Sequence, residues 1–100
     1  MPITKHHLYT HRLNQLSNTF KILGCPARLT ILKYLLDHGS ANNKELVQHL
    51  GLSQSSVSEH LRQLISIDLL AATQLETSMI YRIYEDAWQN ISWLYELLNS

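Results

Sequence analysis

Leu52-Ser53-Gln54-Ser55-Ser56-Val57-Ser58-Glu59-His60-Leu61-Arg62-Gln63-Leu64 is the stretch that decides how this chain is read. Val57, Leu61, Leu64 and Ile65 recur at i, i+4, i+7 and i+8, a single apolar stripe at helical spacing. Gln54, Ser55, Ser58, Glu59, Arg62 and Gln63 fall elsewhere on the helix. A helix that only faces solvent usually carries more Lys and Glu, whereas base edges are met by Gln, Asn, Ser, Thr and Arg. One side therefore suits a protein core. The other suits DNA or, on this stretch alone, plain solvation.

The flanking sequence narrows the choice. Ser53 is a good N-cap, Gly51-Leu52 forms a tight turn, and Asn42 or Asn43 can cap a short preceding helix that carries Leu46, Val47 and Leu50. Residues 43–66 thus read as helix, three-residue turn, helix. Upstream, Leu13, Leu16, Phe20 and Leu23 predict a helix from Leu8 to Leu23, ended by Gly24 as a residue tolerant of positive φ. Pro26 suits the first turn of a second helix reaching His38. Its Leu29, Ile31, Leu32, Leu35 and Leu36 make a face too broad for one contact, which predicts a central position. Downstream, Leu69–Thr73 and Met79–Tyr84 are β-prone runs joined by Gln74–Ser78, a hairpin. A last helix over Glu85–Leu98 has Trp88, Ile91, Leu94, Tyr95 and Leu98 on one stripe, with Trp93 and Leu97 off it.

One hundred residues with 45% apolar content are expected to form a single domain over residues 1–100 with a small core. No run of 18 apolar residues is present for a membrane span, and the N-terminal residues lack the apolar stretch of a signal peptide. The lone Cys25 cannot form an internal disulfide, so a cytoplasmic setting is expected. Net charge is zero, yet residues 1–36 carry +5 and residues 37–100 carry −5, an asymmetry that permits a basic face. The sequence shows no Gly-rich phosphate loop, paired motif carboxylates or nucleophile elbow. An enzyme and a cofactor are not expected.

Helices, helix-turn-helix, hairpin and closing helix in that order form the winged-helix pattern. The predicted fold is mainly α (α+β), a winged helix-turn-helix of about five helices with a two-stranded β-hairpin wing. Leu23-Gly24-Cys25-Pro26-Ala27-Arg28-Leu29-Thr30-Ile31-Leu32 resembles the "L-x-D-P-T-R-L-x-I-L" motif of the ArsR (arsenic-repressor-like) family of small bacterial transcription regulators. Glu45 through Leu61 resembles that family's "E-L-A-x-x-L-G-L-S-Q-S-T-V-S-x-H-L". The resemblance covers about residues 13–95.

The resemblance implies a homodimer built on the first and last helices, with two recognition helices entering successive major grooves of a near-palindromic operator, as a repressor's would. The residues supply surplus apolar surface for such an interface in Leu8, Leu16, Phe20, Trp88, Ile91, Tyr95 and Leu98. Gln54, Ser55, Ser56 and Ser58 are expected to meet bases or phosphates of double-stranded DNA. Glu59 stands where His is common in the family, and a carboxylate there either accepts from cytosine N4 or turns away from phosphate. His60 fits the family's "x-H-L" position and is expected to touch phosphate or base, with a packed core histidine as the alternative. Arg62 is the only cation of this helix; phosphate pairing or a surface salt bridge is its expected task. The wing tip, Leu75-Glu76-Thr77-Ser78, has neither the basic residues nor the glycine of family wings, leaving Thr77 or Ser78 for the DNA backbone. Arg82 is read as meeting phosphate or an acid.

Many ArsR-like proteins sense metals through thiolate or imidazole ligands. The family's "E-L-C-V-C-D-L" site corresponds to Ala41–Val47, which lacks cysteine, and of the "D-x-H" and "H-x-x-E/H" site only Asp86 and Glu96 remain. No metal site is expected. His7 and His11, four apart with His6 adjacent, are read as surface histidines, and Cys25 as a small buried hydrophobe in preference to a redox sensor. The effector is left open. The competing reading is a winged-helix protein-interaction module that has lost DNA binding, favoured by the neutral charge, the acidic wing and Glu59.

Overall fold

Local sequence signals fix most element ends in the computed structural model, which describes residues 8–87 and Gln89. Helix α1 runs His11–Leu23, three residues shorter than the periodicity predicts, because the Thr10 side chain accepts from Leu13 N–H and caps it. Gly24 ends α1 at φ −74, not in the left-handed region; a Cβ there would lie 3.2 Å from the Phe20 carbonyl oxygen. Helix α2, Pro26–His38, has its proline in the first turn as expected. Asn42 rather than Asn43 caps α3, Asn43–Leu50, and does so reciprocally: its side chain accepts from Glu45 N–H while the Glu45 carboxylate accepts from Asn42 N–H. Gly51 at φ 70 takes the left-handed turn that releases the chain toward Ser53, the N-cap of α4, Gln54–Ser66.

Three strands form one antiparallel sheet in the order β1-β3-β2: β1 is Ala41–Asn42, β2 Leu70–Leu75 and β3 Ser78–Ile83. Two features correct the sequence reading. The pair Ala41–Asn42 adds a third strand beside Tyr81 and Ile80. The hairpin is also longer than predicted, since Gln74 pairs with Met79 and Leu75 with Ser78, leaving only Glu76 and Thr77 in the turn. Glu76 sits there at φ 55, a left-handed conformation that a glycine would adopt without steric cost. The predicted fifth helix, from Glu85 onward, lies almost wholly outside the described residues.

The core gathers Ile22, Ile31, Leu35, Ala41, Leu46, Val57, Leu61, Leu64, Leu69, Leu70 and Ala87. Ile31 and Leu35 place α2 at its centre, as the breadth of its apolar face predicts. That breadth is only partly used, however: Leu29 and Leu36 remain exposed beside a cleft of about 190 Å³ lined by Leu23, Leu29, Leu32, Leu36, Leu69, Ile83 and Ala87.

Candidate nucleic-acid interface

Helix α4 is held by its apolar stripe. Val57, Leu61 and Leu64 are all at least 99% buried, against α1, α2, α3 and β2, and Ile65 is half-buried. With that side fixed, Gln54, Ser55, Ser56, Ser58, Glu59 and Arg62 are exposed, and the axial rotation of the helix is not free to change. The first turn is polar and neutral. Ser53 Oγ accepts from Ser56 N–H at 3.2 Å and lies within hydrogen-bond distance of the Ser55 and Ser56 hydroxyls. Ser56 is therefore drawn into the cap, whereas Gln54 lines a cleft of about 250 Å³ together with Asn43, Lys44 and Val47.

Glu59, Arg62, His60 and Ser58, all expected to contact DNA, also have protein partners. Arg62 donates to both carboxylate oxygens of Glu59, at 2.6 to 2.9 Å, and Gln63 donates to the same carboxylate at 3.0 Å. These bonds, Arg62 first and Gln63 second, hold the Glu59 carboxyl below the usual carboxylate range. Because the folded pKa is depressed, whatever the pair contributes to stability is present above the ordinary carboxylate range and fades as pH falls through the lowered value. The salt bridge foreseen as the alternative for Arg62 is thus the one formed in the unbound chain.

His60 is half-buried, and its Nδ1 accepts from Arg28 Nε at 3.1 Å while Arg28 Nη1 donates to the Ile22 carbonyl. In the unbound chain this ring braces α4 against α2 and the end of α1. Ser58 Oγ accepts from Asn43 Nδ2 at 2.9 Å, a link between α3 and α4 that the sequence reading missed. Arg82 donates to Thr73 Oγ1 across the hairpin at 2.8 Å. Thr77 and Ser78 are exposed at the wing tip.

The residues assigned to a subunit interface separate into three groups. Leu8 and Phe20 are exposed, as such a role requires. Leu16 is 8% exposed and packs inside its own chain, so it is not a free interface position. Trp88, Ile91, Tyr95 and Leu98 lie outside the described residues, as do His6 and His7. Among the described residues no group of three or more His, Cys, Asp or Glu side chains is placed to hold a metal ion. Cys25 is half-buried at the N-cap of α2 and makes no side-chain cap bond.

A helix-turn-helix carrying a hairpin wing, with this polar outer face, matches the profile described as "Bacterial regulatory protein, arsR family" over residues 25–72, the span from the start of α2 into β2. The chain belongs to the ArsR family. The HTH-type transcriptional regulator NmtR of Mycobacterium tuberculosis is 32% identical over 71 residues, which is 71% of this chain and 58% of NmtR. The chain thus spans little more than half the length of that relative. The arsenical resistance operon repressor of Staphylococcus xylosus is 27% identical over 86 residues, 86% of this chain and 82% of the repressor. A homodimeric winged helix-turn-helix DNA-binding domain from Mycobacterium bovis, described as a possible ArsR-family regulator, superposes with a TM-score of 0.69 at 24% identity, covering 99% of this chain and 85% of that one. The ArsR assignment agrees with the winged helix seen in the sheet and helix order, and it is a family of transcriptional regulators rather than enzymes.

Proposed function

We propose that this ArsR-family chain is a sequence-specific DNA-binding repressor that acts in the cytoplasm as a homodimer on a near-palindromic operator. One observation carries the reading: α4 is locked by Val57, Leu61 and Leu64 in the core while Gln54, Ser55 and Ser58 stand exposed on its N-terminal half. Those side chains are short, uncharged and able to donate or accept, which is the chemistry of major-groove readout. We assign Gln54, Ser55 and Ser58 to DNA, Ser56 to the cap and to a backbone contact, His60 to bracing, and the Glu59–Arg62 pair to the phosphate boundary. A dimer supplies two such helices, and the exposed Leu8 and Phe20 of the N-terminal region are surface for it. No helix of the described residues is long and apolar enough to cross a membrane.

In a titration of labelled duplexes, Gln54→Ala should cost about 1–3 kcal/mol on the preferred duplex and relax discrimination at one base position. Since Gln54 is exposed, its removal should leave the melting temperature unchanged. Undiminished discrimination would remove Gln54 from the interface. Neither family ligand set is present in the sequence, so near-stoichiometric zinc, cadmium or arsenite should alter affinity by less than about threefold, under ~0.7 kcal/mol. Metal-dependent release of tenfold or more would contradict metal independence and direct mutagenesis to His6, His7 and His11.

The Glu59–Arg62 pair favours a second reading, a winged helix that binds protein, because it neutralises the only cation of α4. A folded chain that enriches no duplex at low salt would establish that reading over the first.

A further inference from the structure

We propose that Asn43, in the first turn of α3, fixes the hydrogen-bond polarity of Ser58, so that Ser58 donates its proton to a keto oxygen of guanine or thymine in the major groove. The inference rests on the DNA-reading assignment above and specifies one of its contacts. A serine hydroxyl has one proton and two lone pairs and, left to rotate, serves donors and acceptors alike. Here Asn43 Nδ2 donates to Ser58 Oγ at 2.9 Å. That bond occupies one of the two lone pairs and turns the O–H away from the amide, which biases the hydroxyl toward donating to a third party. Ser58 is exposed, and Val57 beside it is fully buried, so the helix cannot roll to present another atom.

The polarity matters because of what the groove displays. Guanine O6 and thymine O4 are acceptors, whereas adenine N6 and cytosine N4 are donors. A donating hydroxyl pairs with the first two and opposes the second two. A second observation concerns the same amide: Asn43 Oδ1 is buried with no hydrogen-bond partner. A buried acceptor left unmet offsets the stability contributed by the Nδ2 bond. The adjoining cleft, lined by Asn43, Lys44, Val47 and Gln54, leaves this corner open to a duplex.

The test is selection from a randomised duplex library with the full chain as wild type, Ser58→Ala, Asn43→Asp and the double variant. The wild type should favour keto over amino bases by about fivefold at one position, and Ser58→Ala should flatten that position alone. An ionised Asp only accepts hydrogen bonds, so Asn43→Asp should take the Ser58 proton and invert the preference toward adenine or cytosine. Asp is favourable in the first turn of a helix, so folding should survive. In the Ser58→Ala background the same change should lower overall affinity through its charge without inverting any base. Should Asn43→Asp prove unfolded, Asn43→Ala, which frees the hydroxyl to rotate, should reduce the preference to less than about twofold. Retention of the keto preference in Asn43→Asp, or an amino preference in the wild type, would overturn the proposal. If Ser58→Ala keeps every base preference of a wild type that does select a sequence, this inference fails and the DNA reading stands. If the wild type enriches nothing, both fail.

Discussion

Leu61→Ala should destabilise the chain by about 2–5 kcal/mol, the range for emptying a buried leucine site. For a domain of about 100 residues this corresponds to a fall in melting temperature of roughly 10–30 °C. Leu61 is 1% exposed and belongs to the cluster where α4 meets α2, α3 and β2, so few neighbours are free to close the void. Since the same stripe fixes the rotation of α4, DNA affinity should fall with the folded fraction and recover on lowering the temperature. Leu36→Ala is the control. Leu36 is 61% exposed, and its truncation should cost no more than about 0.5 kcal/mol. Thermal unfolding of the two variants checks both values, and comparable losses would mean that the exposed face of α2 is covered in solution.

Glu59→Gln should raise affinity for any duplex by about tenfold at low salt and steepen the salt dependence by about one unit. In the unbound chain the Arg62 guanidinium is spent on Glu59, and the Glu59 carboxylate would also stand near phosphates. The amide removes the negative charge and releases Arg62 to a phosphate. Arg62→Ala should have the opposite effect, because it leaves Glu59 uncompensated, whereas Arg62→Ala in the Glu59→Gln background should return affinity close to that of the wild type. Titrations across salt concentrations measure all four proteins. An unchanged slope in Glu59→Gln would show that Arg62 does not reach the DNA backbone.

Periodicity made the helix-turn-helix legible because its signals are local. The Val57, Leu61, Leu64 stripe, the Ser53 cap and the Pro26 start each depend on residues within two turns of one another. The first strand was not legible, since two residues, Ala41 and Asn42, are too few to show alternation and become a strand only by pairing with Tyr81 and Ile80. Gln74 and Leu75 read as loop because an exposed strand end has no buried face to alternate with, and Glu76 gives no glycine signal at its left-handed turn. In the candidate site the exposed polar face followed from spacing. The partners did not: Arg28 and His60 are 32 positions apart, and Asn43 and Ser58 are 15. Leu16 shows the same limit, because its helical stripe could not say whether the facing surface belonged to its own chain or to a second copy.

Whether a dimer presents two copies of α4 to DNA is decided by sedimentation of the chain with a duplex selected from its randomised library. Two protein chains per duplex are expected, with affinity at least about a thousandfold above that for a scrambled duplex at physiological salt. A folded chain that stays monomeric and sediments apart from every duplex at low salt would contradict that expectation.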